Sequence, residues 1–477
     1  MNTKAIIYNK VKNAGVKAFL LLLAPCSLLL SSCDDKLDIV PKGMTTLENV
    51  DDLESLLNQE YMINVSPASD LGIICNESYG SFLNVAEVMA QSNTLNYAYT
   101  TYDESIDRAA LATDDARYQN CYKYINYMNV VISKMDDATG NSANKARYIA
   151  EARMVRAYLH WLLVNIYAKQ YDDATAEDEG GIPYVVNTDV SEEKTKLSLA
   201  ETYRRILEDC SDEVIAQLPQ KNTNVERVDQ AFGNAVRAKV LMQMKHYAEA
   251  LPYAQASLRL NNTIEDRSAI VESMTWSLPQ TAENNLLYIG AGTRVSPTFT
   301  TIMPETYALF EEGDYVINYD LMGGWSVMMG EMFSGISGSA LYQGWDTWGN
   351  PWGIVTDHMY YVAAECLIRT GKIQEGLQMV DRVRAKRVEN YEPFAQGNPS
   401  EQEAMAMMQR AKWVECIASY ENFFDCKRWN TEANYKRTIT RNLGSYGTFT
   451  LSPESPLWVL PFPANATRYN PSLTQNY

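Results

Sequence analysis

The chain has 477 residues and a formal net charge of −18, with 46% hydrophobic and 21% charged residues. This composition supports a large folded core and excludes a disordered, collagen-like or low-complexity chain, and so acidic a protein is a poor match for nucleic acid or anionic membrane. Histidine occurs 3 times against 31 Tyr and 9 Trp, so histidine-based metal or acid–base chemistry has little material and aromatic recognition has much.

Residues 1–32 read as an export signal. Lys4, Lys10, Lys12 and Lys17 make a basic start, and Ala18 to Leu30 is a largely apolar run. The run is shorter than the roughly 20 residues needed to span a bilayer. Leu30-Ser31-Ser32-Cys33 resembles a bacterial lipobox, which makes Cys33 the expected lipidation site and the first residue of the mature chain. The acidic stretch Asp34-Asp35-Lys36-Leu37-Asp38 resembles the surface-export signal of Bacteroidetes lipoproteins. Residues 33–477 then form a single body. Cys75, Cys121, Cys210, Cys366, Cys416 and Cys426 make no CxxC pair and lie mostly among apolar helical neighbours. They read as buried free thiols.

Leu47, Val50, Leu53, Leu56 and Leu57 form a helical stripe within 46–60. Residues 116–137 repeat that spacing through Tyr118, Cys121, Tyr122, Ile125, Met128, Asn129 and Ile132. Residues 143–170 predict a long helix with Tyr148, Ala152, Val155, Leu159, Leu162, Leu163 and Ile166 on one side. Glu179-Gly180-Gly181-Ile182-Pro183 opens an extended stretch, and Ser198 caps a helix to about Leu218, with Glu201 completing a capping box. Ala231, Ala235, Ala238 and Leu241 line one helix, His246-Tyr247 turns, and Ala250, Ala254 and Leu258 line a second. Small residues at that spacing let antiparallel helices approach closely, and Tyr247 with Ala250 resembles a tetratricopeptide repeat. Residues 357–388 repeat the plan: Tyr361, Ala364, Cys366 and Leu367, then Thr370-Gly371-Lys372, then Leu377, Val380 and Val383. The helical repeats thus fill about 116–260 and 357–430.

Two blocks, 61–107 and 275–352, lack that regularity and predict a loop-rich lobe. Residues 313–353 hold 9 of the 24 glycines and 4 of the 9 tryptophans, a common make-up for a ligand surface. No Lys or Arg occurs from Gly43 to Asp107 or from Val295 to Ile368. Both windows are therefore expected to build one face that avoids cations and disfavours phosphate or sulfated polyanions. Catalytic motifs are missing. Gly335-Ile336-Ser337-Gly338-Ser339 ends in Ser where a nucleophile elbow needs Gly, and His160, His246 and His358 are isolated. No cofactor and no metal are expected.

Ordered along the chain, several segments resemble the SusD/RagB family of Bacteroidetes outer-membrane nutrient-binding lipoproteins. They are Leu37-Asp38-Ile39-Val40-Pro41, then Glu151-Ala152-Arg153-Met154-Val155-Arg156-Ala157-Tyr158, then Gly181-Ile182-Pro183-Tyr184. Glu201-Thr202-Tyr203, Asp381-Arg382-Val383-Arg384-Ala385 and Phe424-Asp425-Cys426-Lys427-Arg428-Trp429 follow. The tail, Leu460-Pro461-Phe462-Pro463 through Asn470-Pro471-Ser472-Leu473-Thr474-Gln475-Asn476, is the most specific match. Ala411-Lys412 and Ser419-Tyr420 depart from the family pattern, which commonly has an acidic–Arg pair and Glu-Gly there.

The resemblance implies a mainly α fold, a tetratricopeptide-like hairpin scaffold carrying an irregular lobe, and a role without catalysis. The protein would sit in the outer membrane at the cell surface, lipid-anchored, as a lid on a TonB-dependent, SusC-like transporter, and deliver a glycan into it. A peptide ligand is the alternative, since an acidic face attracts Lys and Arg. A secreted glycosidase is a third reading, because it needs only two facing carboxylates. Trp345, Trp348 and Trp352 lie within eight residues among turn formers and are the first candidates for ligand contact. Trp325, Tyr79 and Tyr97 are the further candidates from the lobe.

Overall fold

The computed structural model describes residues 47–63, 69–79, 83–189, 191–222, 224–273, 279–290, 299–318, 324–343 and 349–477. Two units divide the chain, Met1–Glu48, nearly all of it outside those residues, and Asn49–Tyr477, to which the following applies.

The scaffold is built from α1 (Ala116–Lys134), α2 (Lys145–Tyr167), α3 (Leu199–Asp209), α4 (Gln230–Gln243) and α5 (Tyr247–Leu260). After the lobe helix α6 (Trp325–Ser334) it continues with α7 (Thr356–Arg369), α8 (Ile373–Arg384), α9 (Glu401–Glu415) and α10 (Glu421–Trp429). Helix α1 starts where the Asp115 carboxylate accepts from Arg117 N, and α2 runs back along it. Burial covers 18 of the 23 residues of α2, so it is the central helix and carries no polar face. The predicted helix 198–218 is two pieces, α3 and the short Asp212–Gln217, broken at Cys210-Ser211. Ser198 Oγ caps α3 by accepting from Glu201 N, but the expected return bond is missing because Arg204 and Arg205 hold the Glu201 carboxylate. The full capping box is at α9, between Ser400 and Glu403.

The alanine stripes do bring α4 and α5 together: Ala231, Ala235, Ala238, Ala250 and Ala254 are all buried, and Ser257 Oγ donates to Ala231 O at 2.8 Å. In the hairpin of α7 and α8, a Cβ on Gly376 would stand 2.8 Å from Ala364 O, so only glycine permits that approach. Helix α5 packs on α7, and α7 on α9.

Charge is buried where these helices meet. Glu365 on α7 takes two bonds from Arg428 on α10, at 2.5 and 2.8 Å. Lys412 on α9 pairs with Asp425 at 2.5 Å, and Lys239 on α4 pairs with Glu421. The departure Lys412 is thus an internal counter-charge, and the departure Tyr420 fills the space between Trp161, Phe424 and Trp352. All six cysteines from Cys75 to Cys426 are buried and free, as expected.

The lobe joins short pieces. Strand β1 (Asn285–Leu287) pairs antiparallel with β4 (Ile354–Val355), and β2 (Phe299–Ile302) with β3 (Ala340–Gln343). A hairpin of β5 (Ile439–Asn442) and β6 (Thr448–Leu451) follows the scaffold. Both cation-free windows meet here. Tyr79 N donates to Thr301 O, Met303 N to Glu77 O, and Asn84 Nδ2 to Phe333 O. Arg441, from β5, enters this lobe fully buried, donating to Asn76 Oδ1 at 2.9 Å and to the carbonyls of Tyr99, Thr100 and Ile73.

Candidate functional site

Of the three tryptophans expected to form one surface, the structure describes only Trp352. Trp345 and Trp348 lie outside the described residues, as does Cys33. Trp352 is 0% exposed, so it cannot stack on a ligand as expected. Its ring stacks on Tyr420, and its carbonyl accepts the Tyr158 hydroxyl at 2.6 Å. The cause is local: Trp352 precedes Gly353 and β4, where the chain has already turned into the body. Tyr79 is also 0% exposed and bonds Thr100 Oγ1 at 3.1 Å, so it too is a core residue rather than a contact. Tyr97 is half-buried on the short helix Leu95–Thr101. Trp325 opens helix α6, after Gly324 in the left-handed region (φ +85°).

The described residues that flank positions 344–348 are tied into the lobe. On one side β3 ends at Gln343, paired with Phe299 of β2. On the other, Asn350 is a buried clamp: its Oδ1 accepts from Ile289 N and Gly353 N, and its Nδ2 donates to Asn285 Oδ1 and Leu287 O, all within 3.0 Å. Helix α6 lies on β3, where Gly330 meets the backbone of Ser339 and Ala340. Its outer side exposes Met328 (57%) and Met332 (59%). The lobe surface thus offers apolar side chains and carboxylates, with its internal cation buried.

Two carboxyls at the root of the lobe are raised by burial. Glu77 is pushed up to about 7, although Ala418 N, Asn422 Nδ2 and Ser78 Oγ donate to it. Asp314 is pushed up to about 6, with nearby Arg267 pulling it down. His160 is pushed down to about 3 by burial, and its ring sits between Arg156 O and Val185 N. It is a neutral core residue. Among the described residues no cluster of His, Cys, Asp or Glu could hold a metal ion.

A cavity of about 480 Å³ went unread in the sequence. Tyr118 and Tyr122 of α1, Asn126, Asp189, Asn465 and Tyr469 help line it. The two α1 tyrosines, which the periodicity placed on a helical stripe, have ring centroids 4.8 Å apart and planes tilted by 56°, and Tyr122 donates to Pro183 O. Tyr469 is 78% exposed, and Asn465 Oδ1 is buried without a partner. Such a wall of ring faces and open acceptors suits a hydroxylated ligand. A 3.6-residue period does not distinguish rings facing a core from rings facing a cleft.

Comparison with known proteins places the chain. A family model described as starch-binding associating with outer membrane matches residues 35–242, and the SusD family model matches 358–477. Together they span more than two thirds of the chain. No curated protein matches the sequence. The fold is similar to a SusD superfamily protein from Bacteroides thetaiotaomicron (TM-score 0.66, 16% identity, 90% of this chain and 100% of that one). It is similar to surface glycan-binding protein A from Bacteroides uniformis (0.65, 16%, 89% and 99%). It is also similar to a SusD-like carbohydrate binding protein from Bacteroides vulgatus (0.61, 16%, 89% and 97%).

Proposed function

This chain belongs to the SusD family, and we propose from that premise that it is a lipid-anchored, cell-surface protein that binds glycans and delivers them to a TonB-dependent transporter of the outer membrane. The observation that carries the reading is the pair of family models at opposite ends of the chain, one of them described as starch-binding associating with outer membrane. Neighbours in fold described as carbohydrate binding and surface glycan-binding proteins support the ligand class. The part played is binding, not catalysis.

The lobe is the ligand-holding end. It draws on two windows without Lys or Arg, and Arg441 within it is spent on backbone carbonyls. That suits a neutral, hydroxylated ligand whose apolar ring faces lie on indoles. Trp345 and Trp348 are the proposed contacts, lying in sequence between Gln343 and Asn350, with Trp325 and Tyr97 as further candidates. Trp352 and Tyr79 are buried in the body and are not proposed as contacts.

The test is titration of neutral oligosaccharides into the mature protein, followed by tryptophan fluorescence. Trp345→Ala and Trp348→Ala are each expected to weaken binding by about tenfold, the loss of roughly 1.4 kcal/mol of ring contact. Binding should hold as salt is raised. Binding that collapses with salt and favours Lys- and Arg-rich peptides replaces the glycan with a peptide.

A further inference from the structure

Where α2 ends, a cavity of about 550 Å³ opens between residues 169–179, the end of α10 and the loop 453–459. Lys427 of α10 lines it and is 3% exposed. Its Nζ donates to Asn165 O at 2.5 Å and Ala168 O at 2.7 Å, which leaves one N–H. Lys239 and Lys412, buried nearby in the scaffold, each face a carboxylate. Lys427 faces none among the described residues, and burial alone pushes its ammonium down to about 7. One helical turn on, Asn430 lines the same cavity, 9% exposed, and its Nδ2 is buried without a hydrogen-bond partner.

The side-chain carboxylates at the rim are already matched. Asp172 pairs with Lys245 at 2.7 Å, Glu179 with Lys169 at 3.0 Å, and Glu454 with Lys436 at 3.1 Å. The cavity therefore holds an uncompensated buried cation and a spare buried amide donor, which together ask for an anionic acceptor.

We propose that this cavity is a second ligand site, separate from the aromatic lobe, that takes a carboxylate-bearing sugar, a hexuronate, with its carboxylate on Lys427 Nζ and Asn430 Nδ2. The carboxylate comes from the geometry; that a sugar carries it rests on the reading of this protein as a glycan binder. The volume suits a sugar ring, and the rim carboxylates and the Ser455 hydroxyl, which also lines the cavity, accept from its hydroxyls.

Sodium D-glucuronate, D-glucose and N-acetylglycine are titrated into the mature full chain by calorimetry at pH 6. Glucuronate is expected to bind at least tenfold tighter than glucose or N-acetylglycine. Asn430→Asp puts a carboxylate beside Lys427 at almost no change in volume and is expected to abolish glucuronate binding. Lys427→Met should do the same. Trp345→Ala should leave glucuronate binding unchanged. Equal affinity for glucuronate and glucose, or unchanged affinity in Asn430→Asp, overturns the site. N-acetylglycine binding as tightly as glucuronate overturns the sugar. Failure of the glycan reading shows separately, as absence of neutral oligosaccharide binding to the parent protein.

Discussion

Glu77 lies buried between lobe and scaffold, held by hydrogen bonds from Ala418, Asn422 and Ser78 and by no ion pair among the described residues. Its carboxyl is pushed up to about 7 by burial, against roughly 4.3 in an unfolded chain. Between those values the folded protein keeps a proton that the unfolded chain has lost. The contribution is full below about pH 4 and fades as pH rises through 7, on the order of 3 kcal/mol in total. Glu77→Gln removes the ionisation and keeps an acceptor. We expect the melting temperature of the parent to fall from pH 5 to pH 8 and that of Glu77→Gln to fall less; parallel curves would show that Glu77 does not carry the term. The same burial explains why single residues were the hardest to read. Trp352 and Tyr79 look like recognition residues by type and neighbourhood, yet each is 0% exposed. No local sequence signal tells which side of Gly353 faces the body.

Helices α7 and α10 are joined by a buried ion pair rather than by apolar packing alone. Arg428 is fully buried and bonds both Glu365 oxygens and Asp425, while Trp429 Nε1 donates to Glu365 at 2.9 Å. Removing one partner strands the others in low dielectric, so Arg428→Met is expected to destabilise by about 3–5 kcal/mol, measured by urea unfolding. Arg428→Met paired with Glu365→Leu should recover part of that loss, although Asp425 then depends on Lys412 alone. The elements holding this pair were legible. Ala231 to Leu241, Ala250 to Leu258 and Tyr361 to Val383 gave the hairpins α4–α5 and α7–α8 from spacing alone. The lobe was legible only as a region. Strands of four residues or fewer carry too little alternation to be read, and α6, bounded by Gly324 and Gly335, was hidden in a glycine-rich block. What did carry through was charge: the two windows without Lys or Arg meet in the fold, at Tyr79–Thr301 and Asn84–Phe333. Distance along the chain hides such a pairing from any periodicity, and composition does not.

At the scale of the molecule, no described helix is long and apolar enough to cross a membrane. The proposed surface location rests on the lipobox-like Leu30-Ser31-Ser32-Cys33. Cys33→Ala is expected to leave the protein out of the membrane fraction and free of labelled fatty acid; label on that variant would move the anchor elsewhere. The proposed delivery role makes a stronger demand. A lid that passes a ligand into a pore must seal against the barrel's outer loops, and sealing needs an interface larger than the roughly 1,600 Å² of an ordinary complex. Contacts of that size dissociate slowly, so the complex should survive gentle detergent. The anchor acts in the same direction, because holding the protein at the membrane raises its effective concentration over a transporter in the same plane. We therefore expect a tagged copy, pulled from detergent-solubilised outer membranes of its own cell, to bring down a large β-barrel protein at near-equal amounts. Trp345→Ala and Trp348→Ala, at residues proposed to touch the ligand rather than the barrel, should bring down as much as the parent. Recovery of the parent as a lone monomer, with glycan binding intact, would leave a surface glycan-binding protein and remove the transporter from its mechanism.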